Sequence, residues 1–253
     1  MADGARGGDL SSFHRHGPWV VAALALLGAI AVEAVRRHIV TREEALFFAV
    51  LIVTIILHEV SHGVVANLCG DDTAKRAGRL SLNPLRHIDP IGSVLLPILL
   101  IATTGSAFGW AKPVPVNVGR LRHPRNQAVL VGLAGPFVNV VLALGAGFAF
   151  RVLTHGATTI YGTPDQWPIG DELLFVAAEV NVIIAVFNLI PIPPLDGSAV
   201  VERLLPTALL PGYYRLRSAS LVLVLVLVLA LPNVLNSLFN NGLEIFWRDV
   251  IRI

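Results

Sequence analysis

The chain has 253 residues, 55% of them hydrophobic and 14% charged, with a mean hydropathy of +0.71 and a net charge of +2. This balance lies outside that of soluble domains and indicates an integral membrane protein in a lipid bilayer, while the small net charge gives no footing for nucleic acid. The single cysteine, Cys69, excludes an internal disulfide and a cysteine-based zinc site, so a metal must be held by histidine and carboxylate.

Residues 1–17 read as a polar N-terminal tail with His14, Arg15 and His16. The apolar run 18–35 has Ala29-Ile30-Ala31 near its end, as a cleavable signal would, but is long for one and is read as a retained first helix. The next run, 45–69, contains His58-Glu59-Val60-Ser61-His62. On a helix the two histidines share a face and direct their imidazoles at one zinc ion, while Glu59 reaches a metal-bound water as a base. Ionisable residues at membrane depth face the interior and mark function, which argues for a metal site here.

Between Asp71 and Arg125 stand Lys75, Arg76, Arg79, Arg86, Lys112, Arg120, Arg122 and Arg125 against three aspartates, which places both ends of this region on the cytoplasmic side. Stretch 91–104 contains Pro97 and is short for a span, so it reads as a re-entrant or short membrane segment. Val114, Val116 and Val118 alternate with Pro115 and Asn117, which predicts an edge strand or small β-hairpin able to add an unwound substrate strand. His87 and His123 read as interfacial. Runs 127–150, 173–190 and 217–238 are long enough to cross, with 152–171 outside, 197–216 inside, and 241–253 a C-terminal tail. Glu179 and Asn181 read as interfacial, and Asn188 as a brace for the loop that follows. The expected fold is an α-helical polytopic membrane protein with about five to six transmembrane helices, in one domain over 18–240.

A catalytic zinc needs a third protein ligand and an open position. A metzincin-type extension fails, because Val65 and Leu68 stand where glycine and histidine belong, and no glutamate lies between Glu59 and Glu172. The best candidate is Asp196, in Asn188-Leu-Ile-Pro191-Ile-Pro193-Pro194-Leu195-Asp196-Gly197. The prolines end the preceding helix and force extended backbone, tolerated at membrane depth only beside protein or a watery cavity.

The HEVSH helix followed by NLIPIPPLDG resembles the site-2 protease family of intramembrane zinc metalloproteases, and Ala134-Gly135-Pro136-Phe137-Val138-Asn139 resembles that family's GPxxN motif. The lineup covers about 45–205. The resemblance implies one zinc per chain on His58, His62 and Asp196, Glu59 as catalytic base, and Asn139 beside the scissile peptide as a substrate-binding or oxyanion-stabilising amide. A hydrogen bond from Asn139 across helices, with Gly135 permitting close packing, is the alternative for that residue. It further implies a compact, core-only prokaryotic member in the bacterial cell membrane, with its active site toward the cytoplasm. Its substrates would be transmembrane proteins or peptides, its partners a regulatory membrane protein or further copies in a homo-oligomer, and any filter on substrate choice would lie in the membrane domain or a partner. The rival from another class is a metal transporter or non-enzymatic metal-binding membrane protein, which gives Glu59 no task.

Overall fold

A computed structural model describes residues 41–89, 111–154 and 167–253, which are helix and coil with no strand among them. The chain divides into two compact units, Met1–Ala45 and Leu46–Ile253. In the first, Thr41 and Glu44 form a capping box. The Thr41 hydroxyl accepts from the Glu44 N–H at 3.1 Å and the Glu44 carboxylate accepts from the Thr41 N–H at 2.8 Å, which starts helix α1, Arg42–Leu68.

After α1 come a short helix α2 (Thr73–Arg76), then α3 (Pro124–Leu153) and α4 (Ile169–Leu189). Helices α1, α3 and α4 are the three described helices long and apolar enough to cross a bilayer. Their polarity is inverted relative to a soluble bundle. On α3 the buried side carries Val131, Gly135, Asn139, Ala143 and Gly147, one every fourth residue. Leu130, Phe137, Val141, Phe148 and Val152 lie exposed on the other side. Lipid solvates those large side chains as well as a protein core would, so it is the small residues that decide packing by letting backbones approach. A buried cluster of Ala143, Ala178 and Val182 marks where α3 meets α4.

Beyond α4 a proline-rich loop leads to α5 (Ser198–Leu204), α6 (Leu210–Ser218), α7 (Ser220–Ala230) and α8 (Pro232–Glu244). The run 217–238, expected as one span, is broken: the segments on either side of Leu231 diverge by 82°. Pro232 has no N–H to continue the ladder and instead opens α8. The elbow packs Leu227 and Leu235 against Leu195, so it buttresses the loop that carries Asp196.

Three further expectations meet different outcomes. Three described helices, or four if the bent pair is one span, are apolar enough to cross, and the runs 18–35 and 91–104 lie outside the described residues. Residues 241–253 are not a tail. The chain continues from α8 in wider turns over Ile245–Ile251, and Phe246 and Ile251 are buried against α3, where a side chain at Gly147 would collide with both. The expected edge strand at 112–118 is not formed. Pro113 and Pro115 carry no donor, and the Val114 and Asn117 N–H groups go to the carboxylates of Glu59 and Asp71, at 2.9 and 2.6 Å, which takes four positions of the segment out of any regular ladder.

Candidate metal centre

Helix α1 delivers His58 and His62 one turn apart, both buried, with their rings at 81° and centroids 4.8 Å apart. The room for both rings comes from α3. A Cβ at Gly135 would lie 2.5 Å from His58 Nε2 and 2.6 Å from His62 Nε2, so only glycine admits the pair. The loop after α4 supplies the third group. It folds back until the Gly197 N–H reaches the Asn188 carbonyl at 2.7 Å, and a side chain at Gly197 would overlap the Leu189 carbonyl. Asp196 is thereby aimed at the two imidazoles.

Three atoms converge. His58 Nε2 and His62 Nε2 are 3.1 Å apart, and Asp196 Oδ2 lies 3.0 Å from the first and 3.4 Å from the second. Among the described residues this is the group of histidines and carboxylates placed to hold a metal ion. Tetrahedral zinc with bonds of about 2.0–2.1 Å spaces its ligand atoms about 3.3–3.4 Å apart, so the triangle has the size of one tetrahedral face. The chemistry of the donor set agrees. His62 Nδ1 is 2.6 Å from the Val131 carbonyl, which can only accept, so the proton sits on Nδ1 and Nε2 offers its lone pair. His58 Nδ1 is 2.6 Å from Asn139 Oδ1. Imidazoles held this way turn both Nε2 atoms toward one carboxylate oxygen, and with the proton of each on Nδ1 the three atoms form a donor set for a cation.

Glu59, on the same turn of α1, is half-buried and accepts the Val114 N–H at 2.9 Å. The segment bearing Val114 is tied down further along. The Lys112 N–H reaches the His87 carbonyl at 2.8 Å, and the Arg79 guanidinium donates to the Lys112 carbonyl at 2.6 Å. Asn139 is wholly buried, its oxygen on His58 and its NH2 donating to Asn181 Oδ1 at 2.9 Å, so it bridges helices. Asn181 corrects the sequence reading. It is buried, not interfacial, and its own NH2 donates to Thr54 Oγ1 at 3.1 Å and the Ala177 carbonyl at 2.8 Å. Asn181 and Thr54 also line a cavity of about 550 Å³ between α1, α3 and α4, otherwise walled by apolar side chains such as Val50, Leu57 and Leu142.

The remaining polar candidates stay apart from this cluster. His87 is buried rather than interfacial and pairs through Nε2 with the Ser81 carbonyl at 2.8 Å, while His123 is exposed at the start of α3. Asn188 braces the loop through its backbone carbonyl, its side chain returning to Ile184 O at 3.1 Å. Sequence reasoning missed Asn181, Thr54, the Val131 carbonyl and the Val114 N–H. A polar residue in an apolar helix was the available signal for Asn181; the two backbone groups have no side-chain signature.

Residues 166–231 match the family model described as Peptidase family M50. The chain is 42% identical over 159 residues to the Bacillus subtilis protein named "Putative zinc metalloprotease YwhC", across 62% of this chain and 67% of that one. It is 33% identical over 184 residues to "Putative zinc metalloprotease Rip2" of Mycolicibacterium smegmatis, across 72% and 66%, and 34% identical over 151 residues to the Mycobacterium tuberculosis protein of the same name, across 60% and 54%. The chain thus spans two thirds of the first two of these relatives and just over half of the third. No solved structure matches it.

Proposed function

Because the chain belongs to peptidase family M50, the site-2 protease family, we propose that it is an intramembrane zinc metalloprotease that hydrolyses peptide bonds within or near transmembrane segments of other membrane proteins. The observation that carries this reading is the triangle of His58 Nε2, His62 Nε2 and Asp196 Oδ2, with Glu59 beside it on a helix long and apolar enough to span a bilayer. Those three residues would hold one zinc per chain. Zinc supplies a Lewis acid that polarises a carbonyl and lowers the pKa of a coordinated water to about 7.

The protein's own groups do the rest. Glu59 takes the proton of the attacking water and delivers it to the leaving amine, and its bond from the Val114 N–H holds the carboxylate in place. Asn139 and the Val131 carbonyl fix the two imidazoles from behind. With both of its ends engaged by His58 and Asn181, Asn139 serves the metal ligands here before any oxyanion. A helical substrate hides its carbonyls, so it must unwind locally to be cut, which favours segments of weak helix propensity. The basic residues of 71–125 support a site toward the cytoplasmic side of a cell membrane.

The test is cleavage of a transmembrane reporter by purified protein. Glu59→Gln is expected to keep its zinc and bind the reporter while losing turnover by at least about a thousandfold. Cleavage persisting in that variant removes Glu59 as the base. Zinc movement across vesicles with no cleavage by the wild type would favour the transporter.

A further inference from the structure

We propose that Asn181 is a positioning residue for the metal centre: acting through Asn139, it holds His58 in the one tautomer whose Nε2 can bind a metal. The inference rests on the zinc reading above and extends it to a residue on a different helix.

One fixed acceptor sets the direction of every bond in the chain. The Ala177 carbonyl can only accept, so the Asn181 atom 2.8 Å from it is the NH2, which is also 3.1 Å from Thr54 Oγ1. The other end of that carboxamide, Oδ1, therefore faces Asn139 and accepts from its NH2 at 2.9 Å. With its donor end engaged, Asn139 must turn Oδ1 to His58 Nδ1 at 2.6 Å. An oxygen at that position requires the proton on Nδ1 and leaves the lone pair on Nε2, the atom facing His62 and Asp196. Were Asn139 reversed, its NH2 would meet Nδ1, the proton would move to Nε2, and that atom would be closed to metal.

Burial makes the polarity strict. Asn139, Asn181 and Thr54 are 0%, 3% and 2% exposed, and the cavity beside the last two is otherwise walled by apolar side chains, so a reversed amide would leave buried polar groups mismatched. His62 takes its tautomer directly from the Val131 carbonyl; His58 takes the same instruction through two amides that end on the Ala177 carbonyl.

The test compares Asn181→Leu with Asn181→Asp in the purified full-length chain in lipid nanodiscs. If Asn181 only fills space, leucine suits the apolar cavity and aspartate, buried, is the harmful change. The relay predicts the reverse for the metal. Aspartate in either protonation state still offers an oxygen to Asn139, so zinc affinity measured by chelator competition should stay within about threefold of wild type, while leucine should weaken it about 10–100-fold. Histidine ¹⁵N spectra of the metal-free protein, with His58 assigned from a His58→Gln spectrum, should show the Nδ1–H form in wild type and Asn181→Asp and a tautomer mixture in Asn181→Leu. Unchanged tautomer and affinity in Asn181→Leu overturns the proposal. A wild type that binds no zinc, with the tautomer still shifted by leucine, would sink the zinc reading and leave the relay standing.

Discussion

Two histidines four residues apart on one helix meet a common point only if the helix opposite leaves room, and at this site that room is one missing methyl. A Cβ at Gly135 would press on both imidazoles, and turning either ring away breaks a 2.6 Å bond from its Nδ1. Gly135→Ala should therefore weaken zinc binding at least about tenfold while the protein still folds, measured by chelator competition and by thermal unfolding of the metal-free form. Gly145, further along α3, faces open space, with nothing within 4 Å of a Cβ there. Gly145→Ala should leave zinc affinity unchanged and add about 0.5–1 kcal/mol of stability through the lower backbone entropy of alanine. Equal effects at the two positions would refute the steric account. At this scale the sequence was informative where chemistry is local. His58, Glu59 and His62 declare themselves by spacing, and Asp196 by its proline-bounded loop. Asn181 did not, because a lone amide in the first half of the apolar run 173–190 looks interfacial until the helix is seen to begin at Ile169 and to pack on α3.

Among the elements, the stretch from Lys112 to Arg122 behaves as a strap across the end of α1. Its ties are polar: the Val114 N–H to Glu59, the Asn117 N–H to Asp71, and the Arg122 N–H to the Cys69 carbonyl at 3.0 Å. Asp71 is the anchor. Burial raises its carboxyl pKa, but the Thr73 hydroxyl, the Asn117 and Thr73 N–H groups and the nearby Arg120 together outweigh that and hold it below the usual carboxylate range. A folded value below the unfolded one means that ionised Asp71 stabilises the fold above about pH 4, and that this contribution is lost as the pH falls through the folded value. Asp71→Asn should accordingly be less stable than wild type at pH 7 by on the order of 2 kcal/mol, the worth of a charge-assisted bond, with the difference shrinking in acid. A difference independent of pH would assign the effect to shape alone. The alternating valines that predicted a strand here are genuine, yet period-two patterning says only that backbone is extended. Whether it pairs depends on where its N–H groups go, and two carboxylates claim them.

For the molecule as a whole, the candidate metal donors come from places roughly 130 residues apart in the chain, and a bound ion would join them in the folded state only. Stripping zinc should lower the unfolding temperature, since a ligand at a thousand times its Kd contributes about 4 kcal/mol, and adding zinc back should restore it. Asp196→Ala should be indifferent to the chelator; a wild type equally indifferent would mean that the triad holds no metal. The broad architecture of apolar helices with polar groups buried between them was readable from composition and run length. The bend at Leu231 was missed although Pro232 marks it, because the apolar run continues through it, and the seating of Phe246 and Ile251 was not readable, since it depends on which small residue of α3 leaves a notch for them.

The Val114 contact with Glu59 carries a last consequence, about information. A carboxylate steadied by a side chain leaves a mark in the sequence, because changing that side chain removes the bond. Here the donor is main chain, so as far as this bond is concerned nineteen of the twenty amino acids at position 114 are synonymous, and proline alone is an error. The flanking Pro113 and Pro115 are that error on either side, and they leave a single N–H between them, directed at the Glu59 carboxylate. The grammar of the site thus includes a word spelled by its neighbours.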